Sequence, residues 1–224
     1  MRDPRSERTR VKRIPEKARY DRATVDAILD EALICHVGFI QDDAPFVIPT
    51  IHARVGEVLY FHGLPASRMM RLMKRGAQVT VTATILDGIV AARSAFHHSM
   101  HYRSVMIMGE ARAVVDPKER AVAFEAITEA VLPGLWAEAR QPSAWEDLGT
   151  MLVAVPIDEF SAKVSEKDVG DEPEDYALPI WAGVLPLTLT PSTPEPDPRN
   201  LDGVVVPPSG RRFVQGRSLG AGRW

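Results

Sequence analysis

Residues 59–76, LYFHGLPASRMMRLMKRG, change from the period of a strand to that of a basic helix. Apolar residues lead into a His-Gly pair and a proline, and Ser67-Arg68 then fall at the first turn of a helix predicted over 67–75. A helix N-terminus carries unsatisfied N–H groups and a partial positive charge that favour an anion. Ser67 can add a hydroxyl donor, and Arg68 a planar fork for phosphate oxygens. The pair predicts either an ordinary cap with a solvated cationic face or a phosphate site.

The composition predicts a single globular domain with extensions. The chain has 224 residues, of which 45% are apolar, and a formal net charge of −3, which gives no reason to expect nucleic acid as the main partner. Cys35 is the one cysteine, so neither an intrachain disulfide nor a cysteine zinc site can form. No apolar run reaches the ~18 residues of a membrane span, and the charged N-terminus does not resemble a signal peptide. A cytoplasmic protein with no membrane partner is therefore expected.

Periodicity on either side of the opening segment predicts hairpin-linked strands with helices at the margins. QDDAP at 41–45 predicts a turn, Asp87-Gly88 predicts a tight hairpin turn, and Pro156 predicts an edge or a bulge. The fold class is α+β, with about six mostly antiparallel strands in a barrel-like arrangement. The predicted strands are 35–40, 46–55, 58–63, 77–86 with its hairpin partner 89–96, 103–115 and 150–165. The predicted helices are Thr24 to about Ile34, 67–75, 117–131 with Asp116 as N-cap, and a region around 136–148.

The two ends of the chain differ in composition from the middle. Residues 1–20 form a basic arm, expected to be solvated, and residues 189–224 form a Pro/Gly/Arg-rich tail. Between 186 and 208 lie seven of the eighteen prolines, which exclude a regular helix or central strand there. The glycine-rich 216–222 has no strand before it, so it is not a dinucleotide site. Trp181 needs a cover, either the barrel or a second subunit.

Three of the six histidines cluster at His97, His98 and His101. His97 and His101 have the i, i+4 spacing of a helical metal pair, but no carboxylate lies close by in sequence to complete a site. No nucleophile elbow of the G-x-S-x-G type occurs. The sequence therefore predicts neither a metal centre nor a catalytic triad.

Four segments together resemble the pyridoxamine 5′-phosphate oxidase-related family of FMN-binding split barrels, in its nitroimidazole-resistance-like branch. Their order and spacing, over roughly residues 20–188, carry the resemblance. They are FVIPTIHARVGEVLYFHG (46–63), SRMMRLMKRG (67–76), HHSMHYRSVMIMGEARAVVDPKER (97–120) and KVSEKDVGDEPEDYALPIWAGVLP (163–186). The resemblance implies a six-stranded split β-barrel with flanking helices over 21–188, forming a homodimer with FMN at the interface.

The resemblance also implies which residues bind the cofactor. Backbone groups of one strand would face the flavin ring, a Ser-Arg pair would hold its phosphate, and the lysine that usually follows that pair is Met69 here. The implied FMN-binding residues are Val47, Ile48, Pro49, Thr50, His52, Phe61, His62, Ser67, Arg68, Ser104 and Trp181. The catalytic candidates are His98 and His101, which could donate a proton or hydrogen-bond a substrate.

The function that the resemblance implies is an FMN-dependent oxidoreductase acting on a small organic molecule, with a nicotinamide as a possible electron donor. A true pyridoxamine phosphate oxidase is not expected, because no arginine-histidine segment follows Trp181. The alternative is a non-catalytic split-barrel protein that binds FMN or haem, the latter through the clustered histidines.

Overall fold

The computed structural model describes residues 5–215, which form an α+β fold of antiparallel strands in two sheets that do not close on each other. The α+β class is confirmed. The strands are β1 (Ala18–Arg19), β2 (Cys35–Gln41), β3 (Ala44–Thr50), β4 (Ala53–Val55), β5 (Val58–Gly63), β6 (Gln78–Ala91), β7 (Ser99–Glu110), β8 (Arg112–Ala113), β9 (Met151–Pro156), β10 (Glu159–Ser165) and β11 (Gly183–Pro186). The helices are α1 (Arg22–Glu31), α2 (Arg68–Met73), α3 (Pro117–Val131), α4 (Leu135–Glu138), α5 (Ala144–Gly149) and α6 (Pro208–Gln215), with short 3-10 turns at Pro15–Lys17 and Pro173–Ala177. No helix within the described range is long and apolar enough to cross a membrane.

The larger sheet has the strand order β1-β10-β7-β6-β2-β3, and β11 also pairs with β6. β3 is therefore an edge strand, and β2 and β11 share one side of β6 at different heights. The smaller sheet has the order β4-β5-β9-β8. The main core lies between the two sheets and α1, with Phe61, Leu59 and Met70 among its fully buried side chains. A second cluster under α3 includes Leu152 and Ile127.

Two predicted strands are each divided between the two sheets. Residues 46–55 form β3 and β4, with a break at Ile51 and His52, and residues 150–165 form β9 and β10. Pro156 ends β9, and the next residue, Ile157, donates its N–H to Glu57 outside the strand ladder. An apolar pattern of period two continues through such a break, so the sequence pattern alone did not reveal either one.

The predicted hairpin turn at Asp87-Gly88 is wrong, because β6 continues through it. The pairing of β6 with β7 shifts between Leu86 and Gly88, which marks a bulge at Asp87. Both carboxylate oxygens of Asp87 accept hydrogen bonds from Arg103 on β7, at 3.0 and 2.7 Å. Gly88 packs closely on β11, since a Cβ there would lie 3.1 Å from the Leu185 carbonyl oxygen. Long-range contacts thus override the local turn signal.

The predicted turn at 41–45 is confirmed, and it sets the register of the β3 edge. Asp42 and Asp43 both have positive φ, 50° and 59°, as a two-residue hairpin of the mirror-image type requires. Gln41 and Ala44 then pair directly, and Val47 falls opposite Gly38. This register decides which backbone groups of β3 face outward.

Both chain ends pack on the domain where they are described. β1 pairs with β10 and Thr9 is buried, so the basic arm predicted over 1–20 packs on the domain in part, while most of its described side chains are exposed or half-buried. At the other end, α6 lies against α4, where the Ser209 amide donates to the Glu138 carboxylate at 3.0 Å. The glycine-rich residues 216–222 lie outside the described residues.

Helix caps agree with the sequence at two of three positions. Asp116 accepts a hydrogen bond from the Glu119 amide and Ser67 from the Met70 amide, as expected. The first helix begins earlier than predicted: Asp21 is its N-cap, and Thr24 donates its amide to that carboxylate. Asp21 and Thr24 both have side chains that can cap a helix and lie three residues apart, so the local sequence does not separate them.

Changing Asp116 to alanine is expected to cost about 1 kcal/mol of unfolding free energy, the usual value of a lost N-cap. Urea denaturation followed by circular dichroism measures it. The matched control is Glu125→Ala, at an exposed position of the same helix, for which a change within about 0.5 kcal/mol is expected. An equal loss in both variants would contradict the capping role.

Candidate functional site

The start of α2 places a serine hydroxyl and an uncommitted guanidinium beside β3. Ser67 caps the helix, its Oγ accepting from the Met70 amide at 3.3 Å. The Arg68 guanidinium lies over the ring of Phe46 on β3, 4.1 Å from the centroid, and forms no ion pair with any described residue. This cation–π contact holds the cation in place and leaves its N–H donors available. Phe46 was not predicted as a site residue, because nothing in its sequence context distinguishes it from a core aromatic.

Further cations lie on the same exposed helix turns. Arg68, Arg71 and Arg75 share one face of α2 and the turn that follows, and Lys74 lies beside them. None of their side chains pairs with a carboxylate among residues 5–215. By contrast, Arg22, Arg54, Arg103 and several other arginines are committed to carboxylates. The neighbourhood of Arg68 therefore carries a positive potential on a chain that is acidic overall.

The β3 edge offers one outward N–H next to this cation. Residues flanking a two-residue hairpin loop form a hydrogen-bonded pair, so Pro45, Val47 and Pro49 direct their backbone groups away from β2. Prolines have no N–H, which leaves Val47 as the outward donor between them. The side chains of Phe46 and Ile48 pack on the core, whereas that of Val47 is exposed. Of the predicted strand residues 47–50, Pro49 can contribute only its carbonyl oxygen.

The remaining residues near the opening segment separate into accessible and buried ones. Phe61 is fully buried in the core, so its side chain cannot face a ligand. His62 is exposed close to α2, and the desolvation by the atoms packed around it lowers its pKa. His52 is buried, and its Nε2 donates to the Leu29 carbonyl of α1 at 2.9 Å. His52 thus faces α1 and not the start of α2.

His98 and His101 lie at the far end of the long β6–β7 pair. His101 is opposite Gly88, roughly 20 Å along β6 from Thr82, which pairs with β2. The Nδ1 of His98 accepts the Ala92 amide at 2.9 Å, and the Nε2 of His101 donates to the Lys167 carbonyl at 2.8 Å. Since His101 is in a strand, its spacing from His97 has no helical meaning. The described residues contain no group of three metal-ligating side chains.

Trp181 lies at this same end and is exposed. It precedes β11, its side chain is 63% exposed, and a Cβ on Gly183 would lie 2.8 Å from its ring, so the ring packs over the glycine. Ser104 on β7 is three strands from β3, about 14 Å at the usual strand spacing. One chain therefore presents two separate groups: Val47, His62, Ser67 and Arg68 in the first, and His98, His101 and Trp181 in the second.

Asp171, which the sequence did not single out, holds the loop between β6 and β7. Its side chain is completely buried and accepts the amides of Arg93 and Ser94, at 3.0 to 3.2 Å, together with the Arg93 guanidinium. Burial alone would raise the pKa of Asp171, but these hydrogen bonds outweigh it and lower the pKa. The acidic composition of 166–175 had suggested only a solvated segment.

The hydrogen bonds from Arg93 and Ser94 to the Asp171 carboxylate, here called the Asp171 clamp, are expected to weaken in acid. A carboxylate with a lowered folded-state pKa stabilises its contacts above about pH 4, and that stabilisation is lost as the pH falls through the lowered value. The protection factors of the Arg93 and Ser94 amides, which compare the observed exchange rate with the intrinsic rate at the same pH, should therefore fall in acid. In Asp171→Asn the exchange should already be fast at pH 7. Equal protection in both proteins at pH 7 would contradict the clamp.

The sequence model of the family described as pyridoxamine 5′-phosphate oxidase matches residues 21–164, well over half of the chain. The chain belongs to this family. The resemblance read from the sequence is thereby confirmed. No curated protein matches the chain.

Two solved structures of this fold are similar to the chain over most of its length. The flavocytochrome Anf3 from Azotobacter vinelandii is 40% identical, with a TM-score of 0.87 over 94% of this chain and 97% of that one. The FAD and haem binding protein from Mycobacterium smegmatis is 35% identical, with a TM-score of 0.85 over 88% and 97%. A 5-nitroimidazole antibiotic resistance protein from Bacteroides thetaiotaomicron is 22% identical, with a TM-score of 0.56 over 66% and 86%, which supports the fold alone.

Proposed function

We propose that the protein is a flavin-dependent oxidoreductase that works as a homodimer. The observation that carries the proposal is the uncommitted Arg68 guanidinium fixed over Phe46 beside the outward N–H of Val47. The cation fits a phosphate oxygen, and the strand-edge N–H fits the polar edge of a flavin ring. The bound flavin would supply the electron transfer, and the chain would bind and orient it.

The cation face of α2 supports a nucleotide cofactor. Ser67 and Arg68 would hold the phosphate next to the ribityl chain, and Arg71 or Lys74 would take the place of the lysine that Met69 replaces. The sequence predicts FMN, and the M. smegmatis relative is named for FAD. Both nucleotides present the same ring and the same first phosphate, and FAD would extend its second phosphate toward Arg71 and Arg75.

The homodimer is supported by the two separate groups of candidate residues. The first group surrounds α2, and the second lies roughly 20 Å away at the end of β6 and β7. A flavin held between two subunits would contact the first group of one chain and the second group of its partner. Exposed apolar side chains, such as Val47 and Trp181, need a cover that a second copy would provide.

The substrate side follows from the same arrangement. His98 and His101 each have one ring nitrogen committed to the backbone, which fixes the ring and leaves the other nitrogen to face a small organic substrate. The neutral tautomer of His98 carries its proton on Nε2, so it can donate to a substrate. A nicotinamide is the proposed electron donor. A cytoplasmic location and the absence of nucleic-acid and membrane partners stay predictions.

Titration of the purified protein with FMN and with FAD tests the proposal. Flavin absorption should be retained at about one per chain after removal of excess nucleotide, and bound flavin should be reduced by a nicotinamide and reoxidised by a small acceptor. A protein that takes up neither flavin would overturn the proposal. One that holds flavin without turnover would be a binding module.

A second candidate function is haem binding, favoured by two solved relatives named as a flavocytochrome and as an FAD and haem binding protein. His98 does not fit an iron ligand as it stands, because the Ala92 amide occupies Nδ1 and the proton lies on Nε2. His36 and His62 are exposed and form no side-chain hydrogen bond with described residues. A Soret band that is abolished in His36→Ala or His62→Ala, but kept in His98→Ala, is the expected result; the reverse pattern would return the haem to the clustered histidines.

A further inference from the structure

A cleft of about 330 Å³ opens where the larger sheet has a gap along one side of β6. β2 pairs with β6 at 80–82, and β11 pairs with it from Gly88 onward. The Asp87 carbonyl oxygen accepts the Leu187 amide at 3.0 Å, and residues 83–86 have no backbone partner on that side within the described part of the chain. Alternate residues of an unpaired strand direct N–H and C=O groups outward. One wall of the cleft thus carries free backbone hydrogen-bonding groups.

The other walls are apolar and come from separate parts of the chain. They are formed by Leu33 and Ile34 after α1 and by Leu187 and Leu189 after β11. Ile34 is 54% exposed and Leu189 is 60% exposed, which is unfavourable for leucine and isoleucine in water. A ligand that covered them would recover this free energy.

The floor of the cleft carries a fixed charge. Arg103 bridges the carboxylates of Glu31 and Asp87, both of which line the cleft, with its Nη2 2.8 Å from Glu31 and 2.7 Å from Asp87. Two carboxylates against one guanidinium leave a net charge of −1. This charge disfavours an anionic ligand, while the apolar walls disfavour a strongly hydrated one.

The cleft lies next to the end of β3. Ile34 directly precedes Cys35, which pairs with Thr50, whereas Arg68 lies at Phe46 near the other end of the same strand. In the proposed function, a flavin with its phosphate at Arg68 has its ring along 47–50. The part of the flavin ring that lies near residue 50 then faces the cleft.

We propose that this cleft is the substrate pocket beside the flavin, to which His98 and His101 of the second copy would add polar contacts, and that the substrate is an uncharged, mostly apolar molecule of one or two rings with an oxygen that accepts a hydrogen bond. The oxygen would bind the free backbone groups of β6, and the rings would pack between Ile34 and Leu189. The assignment rests on the proposed function for the position of the flavin, but the cleft itself does not depend on it.

Two electron acceptors distinguish a change in the cleft from a change at the flavin site. The flavin-loaded protein is reduced with dithionite under anaerobic conditions and mixed with menadione, an uncharged two-ring quinone, or with ferricyanide, a small charged acceptor. Menadione takes two electrons from the reduced flavin and two protons from the flavin and solvent to become the hydroquinone. Two ferricyanide ions each take one electron, and the protons are released.

Ile34→Asp and Leu189→Asp, made separately, should each slow reoxidation by menadione about tenfold, because each places a second negative charge in the cleft. Reoxidation by ferricyanide and flavin content should stay as in the parent protein. Leu148→Asp, at an exposed leucine of α5, is the matched control and should change neither rate.

Three results would overturn the assignment: unchanged menadione rates in both variants, an equal fall with both acceptors in both variants, or a change of oligomeric state, which would make the cleft a subunit contact. If the protein takes up no flavin, the proposed function fails and the cleft is tested alone. Equilibrium dialysis with menadione should then show binding to the parent protein and about tenfold weaker binding to both variants. Equal binding would overturn the cleft as well.

Discussion

Replacing Arg68 with alanine is expected to weaken flavin binding by about 1.5–3 kcal/mol, roughly 10- to 150-fold in Kd. The Arg68 guanidinium forms no ion pair with a carboxylate within residues 5–215, so its N–H donors are available to a phosphate. Its ring contact with Phe46 already restricts it, and less conformational entropy is lost when the phosphate binds. Fluorescence titration with FMN and FAD measures the effect.

The control for Arg68 is an arginine whose guanidinium is already paired with a carboxylate. Arg140 is exposed and paired with Glu146, far along the chain from α2, so Arg140→Ala should leave flavin affinity unchanged. Arg68→Lys should recover part of the affinity, because a point charge replaces the planar fork. Unchanged affinity in Arg68→Ala would make Ser67-Arg68 an ordinary helix start with a solvated cation.

Replacing Arg103 with methionine is expected to lower the unfolding free energy by about 3 kcal/mol. Arg103 donates to both Glu31 and Asp87, and Glu31 is only 7% exposed, so the variant leaves a buried carboxylate without its cation. The hydrogen bonds to the two carboxylates raise the pKa of Arg103, so the guanidinium is charged at pH 7. Urea denaturation at pH 7 measures the loss.

Two variants distinguish the loss of the Arg103 ion pairs from the loss of Arg103 side-chain packing. The double variant Arg103→Met, Glu31→Gln should recover a large part of the stability, because the buried negative charge is removed with its partner. Arg140→Ala, which breaks an exposed pair, should cost less than about 1 kcal/mol. A double variant no more stable than Arg103→Met would assign the loss to packing.

The sequence indicated the residues that depend on local contacts and missed those that depend on long-range contacts. Ser67, Arg68 and the turn at Asp42-Asp43 depend on local chemistry, and the structure has them where the sequence predicts. Phe46, Asp171 and Arg103 make contacts with residues 16 to 78 positions away, and nothing in the sequence indicates these contacts. Their neighbours in sequence are ordinary strand or acidic residues.

The alternation of apolar residues, the caps at Ser67 and Asp116, and the spacing of four segments were enough to determine the α+β class and the family. These features can be recognised in the sequence itself, without knowledge of the tertiary contacts. Only the tertiary structure decided that β6 runs through Asp87-Gly88, that residues 150–165 serve two sheets, and that Phe61 and His52 are buried. Burial and strand partnership are set by segments distant in the chain, because the free energy of an apolar or charged group depends on what surrounds it after folding.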